Sequence, residues 1–94
     1  MTWPFDQEPN VAAITSKAVM DGAPVLLVSH DADDHAWSFL DGKALDVGAA
    51  WLVSMKSVVE VHPDLVEIAD LAPGWIATRA SVDLPWVRVL NPLA

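Results

Sequence analysis

Apolar residues in this chain come in short runs, and turn-forming residues interrupt each run after about five positions. Residues 25–29 follow Pro24 and are almost entirely apolar, which is typical of a strand buried on both faces. Residues 36–40 alternate and carry two aromatic side chains, and the turn dipeptide Asp41-Gly42 ends them. Because only a short polar loop separates the two segments, they predict an antiparallel hairpin.

The other short runs predict a small sheet with helices. Further strands are expected at residues 11–15, 51–53, 75–79 and 86–90, and helices at residues 17–20, 55–61 and 64–71, with Ser16, Ser54 and Pro63 at the helix starts. The last strand is expected at an edge, since Pro85 and Pro92 flank it. The predicted fold class is therefore α+β, a mostly antiparallel sheet of about five short strands with two or three short helices packed on one side.

A length of 94 residues allows one hydrophobic core, and the absence of cysteine excludes disulfides and thiolate chemistry. Residues 1–10 contain two prolines, two acids and two aromatics, and predict an irregular N-terminal arm whose Trp3 and Phe5 pack on the body. Residues 11–94 are then expected to form a single domain.

The charge balance narrows the classes of partner. Thirteen acidic residues against five Lys and Arg give a net charge of −8. Nucleic acid and anionic membrane surfaces are disfavoured, because both are bound through basic residues. A basic protein would be attracted. The N-terminus has neither a basic start nor a long apolar core, so a cytoplasmic protein is expected.

The densest polar cluster occupies residues 30–35. Its two imidazoles and its carboxylates are of the types that bind metal ions, and His30, Asp33, Asp34 and His35 are the candidate ligands. The spacing matches no calcium loop or zinc-hydrolase helix, so a solvated loop is the competing interpretation. His62 precedes Pro63 and is expected to have a structural role at a helix junction.

Candidate partner-binding residues are Trp86 and Arg88, which share one face of an extended strand, and the acidic Asp31, Asp33 and Asp34. The competing interpretation is that Trp86 covers the sheet while Arg88 pairs with a carboxylate. Arg79 ends an apolar strand and is expected to form a partly buried ion pair.

Three segments together resemble a known family. They are VLLV at 25–28 with DDHAWSFLDG at 33–42, VSMKSVV at 53–59 with HPDL at 62–65, and PGWIATR at 73–79 with PW at 85–86. In order and spacing they resemble short bacterial proteins of unknown function, related to immunity-protein-like domains of polymorphic toxin systems, over residues 12–90. The resemblance implies a cytoplasmic α+β protein with an interaction role, and it supplies no catalytic residues.

The function expected from the sequence is a non-catalytic protein-interaction module that needs no cofactor and binds a partner protein of basic character. The alternative is a metal- or small-ligand-binding protein, or a metal-dependent enzyme, that uses the loop from His30 to His35. A third possibility, compatible with the first, is a homodimer that pairs through the C-terminal strand.

Overall fold

Two serines connect strands directly to helices. The Oγ atom of Ser16 accepts a hydrogen bond from the backbone N–H of Val19, and that of Ser54 accepts one from Ser57. Each bond satisfies a donor that the first helical turn leaves free, so the chain changes from extended to helical at that residue. Both helix starts were predicted from the sequence.

The computed structural model describes residues 3–42 and 50–92. The strands are β1 (Ala12–Ser16), β2 (Leu27–His30), β3 (Trp37–Leu40), β4 (Ala50–Ser54), β5 (Trp75–Thr78) and β6 (Val87–Leu90). The helices are α1 (Lys17–Met20), α2 (Met55–Val61) and a 3₁₀ helix (Pro63–Ile68). None of the described helices is long and apolar enough to cross a membrane.

The six strands form one mixed sheet in the order β4-β1-β3-β2-β5-β6. The α+β class is confirmed, but the expected count of about five strands is too low. The sheet is mixed because β1 lies parallel to β3, with Ile14 opposite Ser38, whereas the other pairs are antiparallel. The parallel pair arises because the chain passes from β1 to β3 through α1 and β2, without a direct hairpin. As predicted, β6 is an edge strand.

One face of the sheet is covered by the helices and holds the core. Alternate strand residues point into it, and helical side chains fill it from the other side. The largest buried side chains from the strands are Trp37, Phe39, Val28 and Thr15; those from the helices are Val19, Met55, Val58, Leu65 and Ile68.

The N-terminal arm contributes to this core. Phe5 is buried, and its ring meets those of Trp37 and Phe39 edge-on, with centroids 5.0 and 6.2 Å away. Trp3 packs beside Phe5, and its indole N–H donates to the carbonyl of Gln7 at 2.6 Å. The expected packing of both aromatics on the body is confirmed, and it places Asp6 at the end of β2.

The opposite face carries no charged side chain along its two central cross-strand rows. The pairing registers place Leu52, Ile14, Ser38, Ser29, Ile76 and Val89 in one row, and Leu40, Leu27, Thr78 and Val87 in the other. We call these ten residues the open face. The exposed fraction is 75% for Leu52, 58% for Val87 and 49% for Val89. On the inner strands, Leu27, Ser29, Ser38, Leu40 and Ile76 of this face are half-buried.

Candidate functional site

The loop between β2 and β3 uses two of its carboxylates to fix its own backbone. Asp31 Oδ1 accepts from the N–H of Asp33 at 2.8 Å, and Asp34 Oδ1 accepts from the N–H of Ala36 at 2.9 Å. These local bonds are the usual turn chemistry of aspartate. His35 lies inside the second of these turns, between Asp34 and Ala36. It has a φ of 59°, a left-handed conformation that is uncommon for residues other than glycine.

His30 and His35 come together beside Asp6. His30 Nε2 lies 2.8 Å from Asp6 Oδ2, and His35 Nδ1 lies 3.3 Å from the same oxygen. Among the described residues, these three alone form a group whose potential ligand atoms lie within 4.8 Å of one another. The structure thus unites both histidines of the predicted ligand set with Asp6. Neither Asp33 nor Asp34 belongs to the group.

Asp6 is held by the core as well as by the histidines. Its Oδ1 accepts a 2.8 Å hydrogen bond from the indole N–H of Trp37. Partial burial alone would raise the pKa of Asp6, but the Trp37 bond and the neighbouring His30 and His35 rings together lower it below its usual value. The carboxyl is therefore ionised at neutral pH and offers Oδ2 to the two imidazoles.

His30 is the buried member of the group, with 3% of its surface exposed. Its Nδ1 lies 2.7 Å from the carbonyl oxygen of Leu71, and because a carbonyl only accepts, Nδ1 carries the proton. The ring also stacks on Trp37, with centroids 4.0 Å apart. Nε2 is close to Asp6 Oδ2, but it is not aligned for a hydrogen bond and has no hydrogen-bond partner.

A second feature lies at the end of the open face. A hollow of about 140 Å³ is lined by Ser29, His30, Asp31, Ala32, Asp33, Gly74 and Asn91. We call it the acidic hollow, because Asp31 and Asp33 supply its charge. The acidic hollow lies just beyond the strand ends, next to Ser29 and Ile76 of the open face, and Ser29 belongs to both. The open face and the acidic hollow therefore form one surface.

Every described Lys and Arg is already paired with a carboxylate of the chain. The four pairs are Lys17–Asp21, Lys56–Glu60, Arg79–Asp64 and Arg88–Asp70. Asp31, Asp33 and Asp34 have no ion pair with any of these four basic residues. Within residues 3–42 and 50–92, no Lys or Arg side chain therefore compensates the negative charge of the acidic hollow.

Trp86 and Arg88 lie on the helix-covered side of the sheet. Trp86 is half-buried, with the Arg79 guanidinium 4.1 Å from its ring centre. Arg88 bonds Asp70 at 2.8 Å and donates to the carbonyl of Glu67 at 3.4 Å. These contacts agree with the structural alternative to partner binding, in which Trp86 covers the sheet and Arg88 pairs with a carboxylate.

The two remaining predicted roles concern structure. Arg79 forms its expected partly buried ion pair, with Asp64 at 2.7 Å, and its Nε–H also donates to the carbonyl of Val25. His62 lies at the junction of α2 and the 3₁₀ helix, as expected. Its Nε2 lies 2.8 Å from the carbonyl of Val19 in α1, and its backbone N–H donates to the carbonyl of Val58 in the preceding helix at 2.9 Å.

Asp6 was not among the site residues predicted from the sequence. The residue lies in an irregular arm, 24 positions before His30, with no periodic pattern around it. The only available signal is its neighbour Phe5, whose expected burial brings Asp6 to the body.

No protein-family model, curated protein or solved structure matches the chain.

Proposed function

We propose that the protein is a non-catalytic interaction module that binds a basic partner protein on its open face. The observation that carries this proposal is the uncharged face of ten residues that ends in the acidic hollow. A partner that fits this surface presents an apolar patch with a Lys or Arg beside it. The cation enters the hollow between Asp31 and Asp33 while the patch covers the sheet.

The open face can form the centre of such an interface. Six strands about 4.8 Å apart span about 24 Å between the outer strands, and strands of four or five residues are about 13–17 Å long. Because a standard protein–protein interface buries roughly 800 Å² on each side, the partner must also cover the acidic hollow and the loops beside it. The side chains on its inner strands include Leu40, Leu27 and Ile76, which are apolar as the core of an interface requires.

Charge selects the class of partner. The chain has a net charge of −8, and its described basic residues are all paired internally, so a second copy of the chain would be repelled. A basic protein would be steered towards the acidic hollow, which accelerates association. The resemblance to immunity-protein-like domains supports the same role.

The proposal is tested with two pairs of neutral variants. Val89→Gln removes apolar surface from the open face, and Val66→Gln is its control, because Val66 is 41% exposed on the 3₁₀ helix. Asp33→Asn removes a charge from the acidic hollow, and Asp83→Asn is its control on an exposed loop.

Each immobilised protein is exposed to lysate of the source organism, and a protein retained by the wild type is identified, purified and titrated calorimetrically. A basic partner that binds Val89→Gln about tenfold or more weakly, a loss of about 1.4 kcal/mol, supports the proposal. Asp33→Asn should reduce the association rate and its salt dependence. Equal affinity for wild type and both test variants would overturn it, as would light scattering that shows a dimer lost in Val89→Gln.

A further inference from the structure

We infer that Asp6, His30 and His35 form a binding site for a divalent transition-metal ion such as zinc. Zinc binds imidazole nitrogen and carboxylate oxygen at about 2.0–2.2 Å, and one class of zinc site has three protein ligands with the fourth position left open. Here two imidazoles and one carboxylate present such atoms from the N-terminal arm, the end of β2 and the following loop.

The spacing of the donor atoms suits tetrahedral coordination. Ligands about 2.05 Å from a tetrahedral ion lie about 3.3 Å from one another. His35 Nδ1 and Asp6 Oδ2 are 3.3 Å apart, and His30 Nε2 and the same oxygen are 2.8 Å apart. His30 Nε2 and His35 Nδ1 lie within 4.8 Å of each other, so an ion requires side-chain rotations that move His30 Nε2 away from the carboxylate and bring all three separations to about 3.3 Å.

The unpaired nitrogen of His30 points to a ligand. Nδ1 donates to the Leu71 carbonyl, so in the neutral ring Nε2 is a buried lone pair that no hydrogen bond satisfies, 2.8 Å from an oxygen of an ionised carboxylate. A lone pair this close to an anion is unfavourable. A cation between them removes this repulsion and satisfies both groups.

The groups behind the three ligands are already in place. Metal-binding histidines usually donate their second N–H to a carbonyl or carboxylate, and ligand carboxylates accept hydrogen bonds of their own. The Leu71 carbonyl takes the first role for His30, and the Trp37 indole takes the second for Asp6. Gln7 holds the loop by donating to the carbonyls of Asp34 and His35 at 3.3 and 3.2 Å.

Access to the site is from one side. His30 is buried, whereas the side chains of His35 and Asp6 are 49% and 37% exposed. An ion can therefore enter from solvent, and its fourth position remains open to water or a small ligand. The competing arrangement has no metal and consists of an ion pair between a doubly protonated His30 and Asp6.

The test uses untagged protein that has been stripped with a chelator and titrated with zinc by calorimetry. One equivalent should bind, and His35→Ala should weaken binding at least tenfold, as the loss of a ligand does. His35 is the variant of choice because its exposed side chain makes few packing contacts. Asp34→Asn is the matched control, since Asp34 lies next to His35 but outside the group, and it should bind like the wild type.

Nitrogen chemical shifts distinguish the ligands from the ion pair. Zinc should shift the Nε2 resonance of His30 and the Nδ1 resonance of His35, and leave the ring of His62 unchanged. Absence of zinc binding by the wild type, or equal affinity of His35→Ala, would overturn the inference. A proton on both ring nitrogens of His30 in the presence of zinc would establish the ion pair in its place.

Discussion

Arg79 and Arg88 each pair with one carboxylate, but their pairs differ in exposure. The Arg79 side chain is 3% exposed and that of Arg88 is 36% exposed. A buried guanidinium stays charged, so the loss of its partner leaves an uncompensated buried charge that lowers the free energy of unfolding. When an exposed guanidinium loses its partner, water takes the partner's place. The two aspartates that serve them, Asp64 and Asp70, allow a matched comparison.

We expect Asp64→Asn to lower the free energy of unfolding by about 2 kcal/mol, the scale of a hydrogen bond to a charged group. Asp70→Asn should lower it by less than about 1 kcal/mol, as for surface ion pairs. Urea unfolding of both variants checks this, and equal losses would contradict it. The buried pair of Arg79 itself was predictable, because a single cation ended an apolar strand in an acidic chain.

The partner of Trp37 shows what the sequence could not specify. A buried indole N–H needs an acceptor, and that much follows from the strand pattern. Thirteen acidic residues were available, however, and the choice of Asp6 depends on how the N-terminal arm crosses the core. Of the group of Asp6, His30 and His35, the sequence therefore predicted the two histidines, which lie in one loop. It did not predict Asp6, which is distant in the chain.

Helix starts and turns were predicted well, because their signals lie within a few residues. Ser16 and Ser54 cap helices through bonds to residues three positions away. The order of the strands was not predictable in this way. β1 lies between β3 and β4, two elements that follow it in the chain, and no local pattern encodes that insertion.

Among the described strands β6 pairs only with β5, so half of its backbone groups face outward. The N–H of Asn91 donates to the carbonyl of Gly74, and by antiparallel alternation the N–H groups of Val87 and Val89 also face β5. Those of Arg88 and Leu90 then point away from the sheet. We expect slow amide hydrogen exchange at Val89 and fast exchange at Arg88 and Leu90, at every protein concentration.

The reason for expecting no concentration dependence is that β6 is a short edge strand with a charged Arg88, features that oppose pairing between copies. Protection of Arg88 and Leu90 that grows with protein concentration would contradict this prediction. It would show instead that two copies pair through their C-terminal strands.

The excess negative charge acts on the whole molecule. At about 0.01 M salt the screening length is roughly 30 Å, which matches the longest molecular extent of 29 Å, so every carboxylate repels every other. At about 0.15 M it falls to roughly 8 Å. The exposed pairs Lys17–Asp21 and Lys56–Glu60 are weakened by the same salt, but each contributes only about 0.3–0.5 kcal/mol.

Relief of repulsion should therefore outweigh the loss of attraction, and sodium chloride should raise the free energy of unfolding, by on the order of 1 kcal/mol between these salt concentrations. Urea unfolding at both concentrations measures the change. A double variant, Asp33→Asn with Asp83→Asn, removes two exposed negative charges without touching the ion pairs, so its salt effect should be smaller. Stability that falls with salt would mean that the internal ion pairs outweigh the net charge, and it would weaken the argument that repulsion keeps two copies apart.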